Sequence, residues 1–383
     1  MRILFSSTRG TGHARPLLPY VQAFRDKGHE VMFAAPEQLR DMIEKADVPF
    51  APVFRLPEEQ IQESFKVLET VPKEDFFKFI IQNFWARGSA ENAFPDLLKL
   101  AEDWKPDLIV RESGELAATL VSAKLAIPLV RVQVHNSPAE EWFLEFAPEP
   151  LDELRDEIEA PVGAGASLQA ERAFTSFPKS FDPTQDWGDR AAPYRVNTSG
   201  VVGPVSGDRP AWAPDNGRPL VYVTFGTVAG NESKERDAYN IALRAMGSLP
   251  VNVLLTTGNN MDRALLSDIP ENVRVETWVP QADVFAHAAV IVHHCGSGTL
   301  IGTLAAGLPS VAVPLFADQP SNGEQIERIG AGISVFDLNE DALKAAVIRA
   351  LEDDSIAACS KKVAKEIAAL PLVDDAVEEM LRV

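Results

Sequence analysis

The sequence predicts an α/β protein made of two Rossmann-like domains, each a doubly wound parallel sheet, facing each other across a cleft. Three observations lead there. Short apolar runs alternate with helical patterns from the first residues to about 132, and the alternation restarts near 219. A Pro/Gly-rich segment, Gly200 to Pro219, separates the two series. A chain of 383 residues is also long for one hydrophobic core. The expected boundaries are an N-terminal domain at 1–200, a linker at 201–218, a C-terminal domain at 219–369 and a last helix at 370–383.

The elements follow in order. Arg2–Ser7 reads as a buried strand, and the glycine-flanked loop Thr8–His13 leads to a helix with Pro16 early in it. Gly28-His29 closes that helix, and E-V-M-F-A-A (30–35) is the next strand. Val48–Val53, Asp107–Val110 and Leu129–Val132 read as strands, with Gly114–Leu125 as a helix between the last two. Gly10-x-Gly12 is not a dinucleotide fingerprint, because Arg15 stands where the third glycine belongs and no ribose carboxylate follows the second strand. Residues 55–100 and 135–190 are aromatic-rich insertions. Most of their rings are expected to be core faces of amphipathic helices. A minority, taken here as Phe76, Phe84, Trp142 and Phe143, are expected to line an apolar small-molecule site. In the second half, strands are expected at 220–225, 251–257, 273–278, 290–293, 310–314 and 333–336. Helices are expected at 233–247, 298–306, 322–329, 342–351, 355–369 and 374–381.

Bulk composition excludes several classes. An apolar fraction of 46% with 24% charged residues fits a soluble globular protein. A net charge of −20 without a basic patch argues against nucleic acid or an anionic membrane as partner. Cys295 and Cys359 are too few for a disulfide framework and suit a reducing cytosol. With no signal peptide ahead of the first strand and no apolar run long enough to span a bilayer, a cytoplasmic location is expected.

The densest signal lies between Trp278 and Gln319. The buried run Val290–Val292 ends at His293-His294, and a Gly/Ser/Thr turn from Cys295 to Thr299 opens a helix. Free backbone N–H groups and the helix dipole at such a turn attract an anion. Ser297 and Thr299 add hydroxyls, and His294 adds an imidazole. Strand alternation places His293 on the opposite, packed side. Cys295 reads as a small space-filler.

In order, Trp-x-Pro-Gln (278–281), this His-Cys-Gly turn, Ala-Gly-x-Pro (306–309) and Asp318-Gln319 closely resemble the donor-binding box of nucleotide-sugar glycosyltransferases. These are the two-domain (GT-B), metal-independent, inverting enzymes that glycosylate small lipophilic molecules, and the chain looks most like the bacterial ones acting on antibiotics and other natural products. The resemblance implies that the last helix crosses back onto the first domain. It implies that Trp278 and Val279 hold the base, Gln281 the ribose, and His294, Gly296, Ser297, Gly298 and Thr299 the phosphates, with Gly226 and Thr227 near the phosphate or sugar contacts. Asp318 and Gln319 would hold the sugar. G-x-G-H-x-x-P (10–16) matches the family's catalytic-histidine loop, which makes His13 the expected base; an imidazole with reference pKa near ~6.5 suits that task. Its orienting carboxylate is expected to be Glu112, where the family more often has Asp, with Glu115 as competitor. Relatives from plants hold both ribose hydroxyls with a Glu; here that register falls on Gly302, which favours a dTDP- over a UDP-sugar. The chain contains no Asp-x-Asp metal motif. No metal or cofactor is therefore expected, and the nucleotide-sugar is a co-substrate. The expected acceptor is a small aromatic or polyketide-like molecule. A nucleotide-sugar epimerase of the same architecture and a non-catalytic nucleotide-sugar-binding helper are the alternatives.

Overall fold

The computed structural model describes residues 1–53, 66–67, 70–72, 75–158, 164–182, 192–199, 210–226, 233–258, 261–266 and 268–383. They divide into two compact units. The first comprises Met1–Ser176, Thr184–Thr198 and Pro371–Val383, and the second Phe177–Pro183 and Ser199–Leu370.

The first unit is built on a seven-stranded, wholly parallel sheet. Its strands are β1 (Arg2–Ser6), β2 (Glu30–Ala35), β3 (Phe50–Pro52), β4 (Leu108–Glu112), β5 (Leu129–Gln133), β6 (Arg172–Thr175) and β7 (Tyr194–Arg195), in the order 3-2-1-4-5-6-7. The order reverses between β1 and β4, so the loops after those two strands adjoin, where doubly wound sheets place ligands. β4 and β5 are buried along their whole length, as strands covered on both faces must be. The sequence reading did not register β6 and β7. Both are short, and β6 emerges from what read as an irregular stretch; helices Ser137–Phe146, Pro148–Ile158 and Ala164–Ala170 precede it. The helix Val373–Met380 packs Ala376, Val377 and Met380 into this unit's core with Tyr20 and Phe24, and Glu378 pairs with Lys27 at 2.9 Å.

The second unit carries a six-stranded parallel sheet. Its strands are β8 (Leu220–Thr224), β9 (Asn252–Thr256), β10 (Val273–Glu276), β11 (Ala288–His293), β12 (Ser310–Ala312) and β13 (Gly332–Ser334), ordered 10-9-8-11-12-13. The reversal falls between β8 and β11, which pair directly, so the turns at 225–226 and 294–296 leave the sheet side by side. Phe177 and Phe181 stack at 5.5 Å and pack with Leu300, Leu304 and Ile367 of this unit. No helix among the described residues is long and apolar enough to cross a membrane.

Candidate active site

In the first unit, Gly10 adopts φ 105° and turns the chain so that the N–H groups of His13 and Ala14 donate back to its carbonyl. His13 therefore sits in a short helical turn, Thr11–Ala14, that starts inside the stretch Thr8–His13 expected to be a loop. Of the two carboxylates left open by the sequence, Glu112 meets it: Nδ1 of His13 lies 2.8 Å from Glu112 Oε2. Glu112 also accepts from the Thr8 N–H (3.0 Å), the Thr8 hydroxyl (2.6 Å) and the Gly114 N–H (2.6 Å). Burial alone would raise its pKa, but the His13 charge and the hydrogen bonds from His13 and Thr8 bring it down to about 2. An ionised Glu112 draws the imidazole proton to Nδ1 and leaves the Nε2 lone pair to accept another.

Glu115 is used differently. It accepts from the N–H groups of Ala117 and Ala118 at the start of helix Ala117–Leu125, and burial, with the Glu112 charge, raises it to about 7 against the opposing pull of Arg111. Arg111 is fully buried, and nothing in its local sequence singles it out. Its Nη1 donates to the carbonyls of Glu112 (2.8 Å), Ser113 (3.0 Å) and Glu115 (3.4 Å), while Nε and Nη2 bond Glu171. A guanidinium thus ties together the carbonyls that leave the sheet after β4, of which that of Glu112 also accepts the Glu115 N–H at 3.2 Å.

Aromatic rings surround this pair. Trp85 lies 5.3 Å from the His13 ring and His135 lies 5.5 Å from it. Phe77 stacks on Trp142 at 3.6 Å, Phe76 meets Phe77 edge-on, and Phe84 meets Trp85 edge-on. Phe76, Phe84 and Trp142 are half-buried. Phe143 is 5% exposed, parallel to His135, and backs the cluster from the core rather than lining its surface. Sequence reasoning missed Phe77, Trp85 and His135. His135 was within reach, since it lies just past the carboxyl end of β5, the rule that selected Glu112.

In the second unit, Cys295 takes φ 68°, a strained conformation for a side-chain-bearing residue, and is buried. Helix Ser297–Ala305 follows with Gly296 at its N-cap, no side chain bonded to its first N–H groups and no acidic residue in its first turn. Those N–H groups face outward as an anion cradle. His293 is buried, accepts the Cys295 N–H at Nδ1 (3.1 Å) and reaches the Ser310 hydroxyl with Nε2 (3.3 Å). His294 is half-buried against Gly226 and Gly296: a methyl group on Gly226 would stand 2.6 Å from its Nε2, and one on Gly296 closer still. Its Nδ1 has no partner among the described residues.

Around the turn, Gln281 Nε2 bonds the Thr299 hydroxyl at 3.0 Å. Asp318 accepts from Asn322 Nδ2 (3.0 Å) and Ser297 Oγ (3.5 Å), and Asn322 also holds the Cys295 carbonyl at 3.0 Å. Asn322 was not anticipated. Gln319 is buried, and its side-chain oxygen accepts the N–H groups of Leu315 and Phe316, so that atom shapes its own loop. Trp278 is 56% exposed, while Val279 is buried. Gly298 is open at the helix start. Thr227 lies outside the described residues.

Burial lowers His293 to about 3 and His294 to about 4, below the ordinary 6.5. The unfolded chain takes up protons below 6.5 that the folded turn refuses, so stability should fall as pH drops from 6.5 toward 4, by at most about 1.4 kcal/mol per histidine per pH unit. Glu112 works in a lower window: its contribution is complete above 4.5 and lost as pH falls toward about 2. The urea midpoint should therefore drop between pH 7 and 5, and His293→Asn should flatten that dependence. An equal slope in the variant would refute it.

Comparison with known proteins identifies the family. Residues 22–147 match the N-terminal domain, and residues 240–383 the C-terminal domain, of the erythromycin biosynthesis protein CIII-like family. Elloramycin glycosyltransferase ElmGT of Streptomyces olivaceus is 29% identical over 98% of this chain and 95% of its own length. Among solved structures, spinosyn rhamnosyltransferase SpnG complexed with spinosyn aglycone superposes with a TM-score of 0.80 at 24% identity, covering 100% of both chains. SsfS6 of Streptomyces sp. SF2575, complexed with thymidine diphosphate, does so at 0.77 and 24%, again over 100% of both chains. Both halves of one family are present in order, on a sheet pair shared with these enzymes, and the chain belongs to the erythromycin biosynthesis protein CIII-like, GT-B natural-product glycosyltransferases, which transfer sugars from nucleotide sugars.

Proposed function

We propose that this enzyme transfers a sugar from a dTDP-sugar to a hydroxyl of a small aromatic or polyketide-like natural product, in a single displacement that inverts the anomeric carbon and needs no metal. The observation that carries the reading is the 2.8 Å pair of His13 with a buried, ionised Glu112. His13 Nε2 takes the acceptor proton as its oxygen attacks, and Glu112 stabilises the imidazolium. The departing diphosphate is received by the N–H groups of 297–299 and by His294, fixed dipoles aimed at developing charge. Trp278 and Val279 take the base, and Ser297, Asp318 and Gln319 the sugar side. Anomeric configuration of the product, read by NMR coupling constants, tests inversion: retention refutes the single displacement. Turnover unchanged by a chelator supports metal independence, and its loss with restoration by a divalent ion would overturn it.

A filled space supports this choice of donor base. A side chain at 302 would meet the Phe285 ring 2.6 Å from its Cβ, so a ribose-holding carboxylate has no room there. SsfS6, a structural relative, binds thymidine diphosphate. Calorimetry should give a lower Kd for dTDP than for UDP, roughly 2- to 10-fold, the scale of one net hydrogen bond. Clearly tighter UDP removes the preference.

A further inference from the structure

Trp85 stands on an unusual element. Residues Ile80–Ala90 form a π-helix, a wide, rare geometry concentrated at functional sites. From there its indole reaches two members of the dyad's support. Its ring centroid is 5.3 Å from that of His13, tilted by 37°. Its Cζ3 and Cε3 atoms lie 3.1 and 3.2 Å from where a Cβ on Gly114 would be, so the six-membered ring rests directly on that backbone. Gly114 is the residue whose N–H holds Glu112 Oε2 at 2.6 Å. One side chain thus touches the imidazole and the peptide that fixes its carboxylate. The result is a Glu112 side chain with no exposure and a His13 side chain left 19% exposed.

We propose that Trp85 is a positioning residue of the catalytic pair: it presses the 112–114 loop and His13 together, and its π-face stabilises the imidazolium formed when His13 takes the acceptor proton. This rests on His13 being the base. A cation within about 6 Å of an indole centroid is attracted by the ring quadrupole, and the attraction exists only after proton transfer, so it acts on the transition state and not on substrate binding. An aromatic that merely walls the acceptor would instead change KM.

The test compares Trp85→Leu, which keeps apolar bulk without a π-face, with Trp85→Phe, which keeps a π-face, in the full chain. Trp85→Leu should lower kcat roughly 2- to 30-fold, the range expected for such contacts. Acceptor KM and the dTDP Kd should stay unchanged, and Trp85→Phe should recover most of the rate. Intrinsic fluorescence gives a readout independent of turnover, because an imidazolium quenches an adjacent indole. The wild type should show an acid-dependent quench that both His13→Ala and Trp85→Phe lack. A raised acceptor KM at constant kcat, equal loss in Leu and Phe variants, or a quench that survives His13→Ala would overturn the proposal. Where Trp85→Leu does not fold, the wild-type and His13→Ala fluorescence comparison decides alone. If His13→Ala keeps full turnover, the base assignment itself has failed; if it loses turnover while Trp85→Leu does not, only the role of Trp85 has.

Discussion

His13→Ala is expected to lose roughly 10²–10⁴ in kcat, the range for a missing general base. The dTDP Kd should stay unchanged, because the proposed nucleotide site belongs to the second unit. The size of the loss follows from how His13 is held. Four hydrogen bonds converge on Glu112, three of them from Thr8 and Gly114 and the fourth from His13 itself. The carboxylate therefore cannot swing away or protonate at working pH, and it keeps the basic lone pair on Nε2. Glu112→Gln separates orientation from charge. Its amide can still touch Nδ1, but by presenting an N–H it favours the tautomer with a proton on Nε2, where the acceptor proton must go. That variant should approach the alanine loss despite its near-identical shape. Near wild-type turnover of His13→Ala would remove His13 from the mechanism, and near wild-type turnover of Glu112→Gln would remove the tautomer argument.

The sequence made the parallel sheets legible because their strands are short, continuously apolar and bounded by glycine and proline, as in Val290–Val292 before the turn at 294–296. β6 and β7 escaped for the converse reason. Arg172 and Arg195 break the apolar pattern, and β7 is only two residues long. At the site, residues whose backbone position carries the chemistry were readable: a glycine turn at a strand end announces itself by composition. Residues that act through a distant partner were not. Nothing local marks Arg111 as the holder of three carbonyls, or Asn322 as the bridge between Cys295 and Asp318. Trp85 was one aromatic among many in an insertion whose rings are mostly core, and only its distance to His13 and Gly114 singles it out.

His294→Ala should cost roughly 10²–10³ in kcat, the scale for removing one preorganised donor to developing negative charge. The structure adds a condition to that expectation. The imidazole is neutral in the unliganded turn, held down to about 4 by burial against the opposing pull of Asp318 and the Thr224 backbone. Its Nδ1 is buried, while Nε2 is the atom that lies against Gly226 and Gly296 at the turn, so a proton on Nε2 lets the neutral ring donate to a phosphate oxygen there. His294 can therefore receive the diphosphate as a neutral donor, without first taking up a proton. Calorimetry of dTDP binding at pH 7 in buffers of different ionisation enthalpy should report no appreciable proton uptake for the wild type or for His294→Ala. Gly296→Ala should reproduce the loss in kcat, because its methyl group displaces the imidazole without removing it. Uptake of about one proton by the wild type would show instead that His294 holds the diphosphate as an imidazolium. A His294→Ala enzyme with unchanged kcat would show that the imidazole is not among the groups that receive the leaving group.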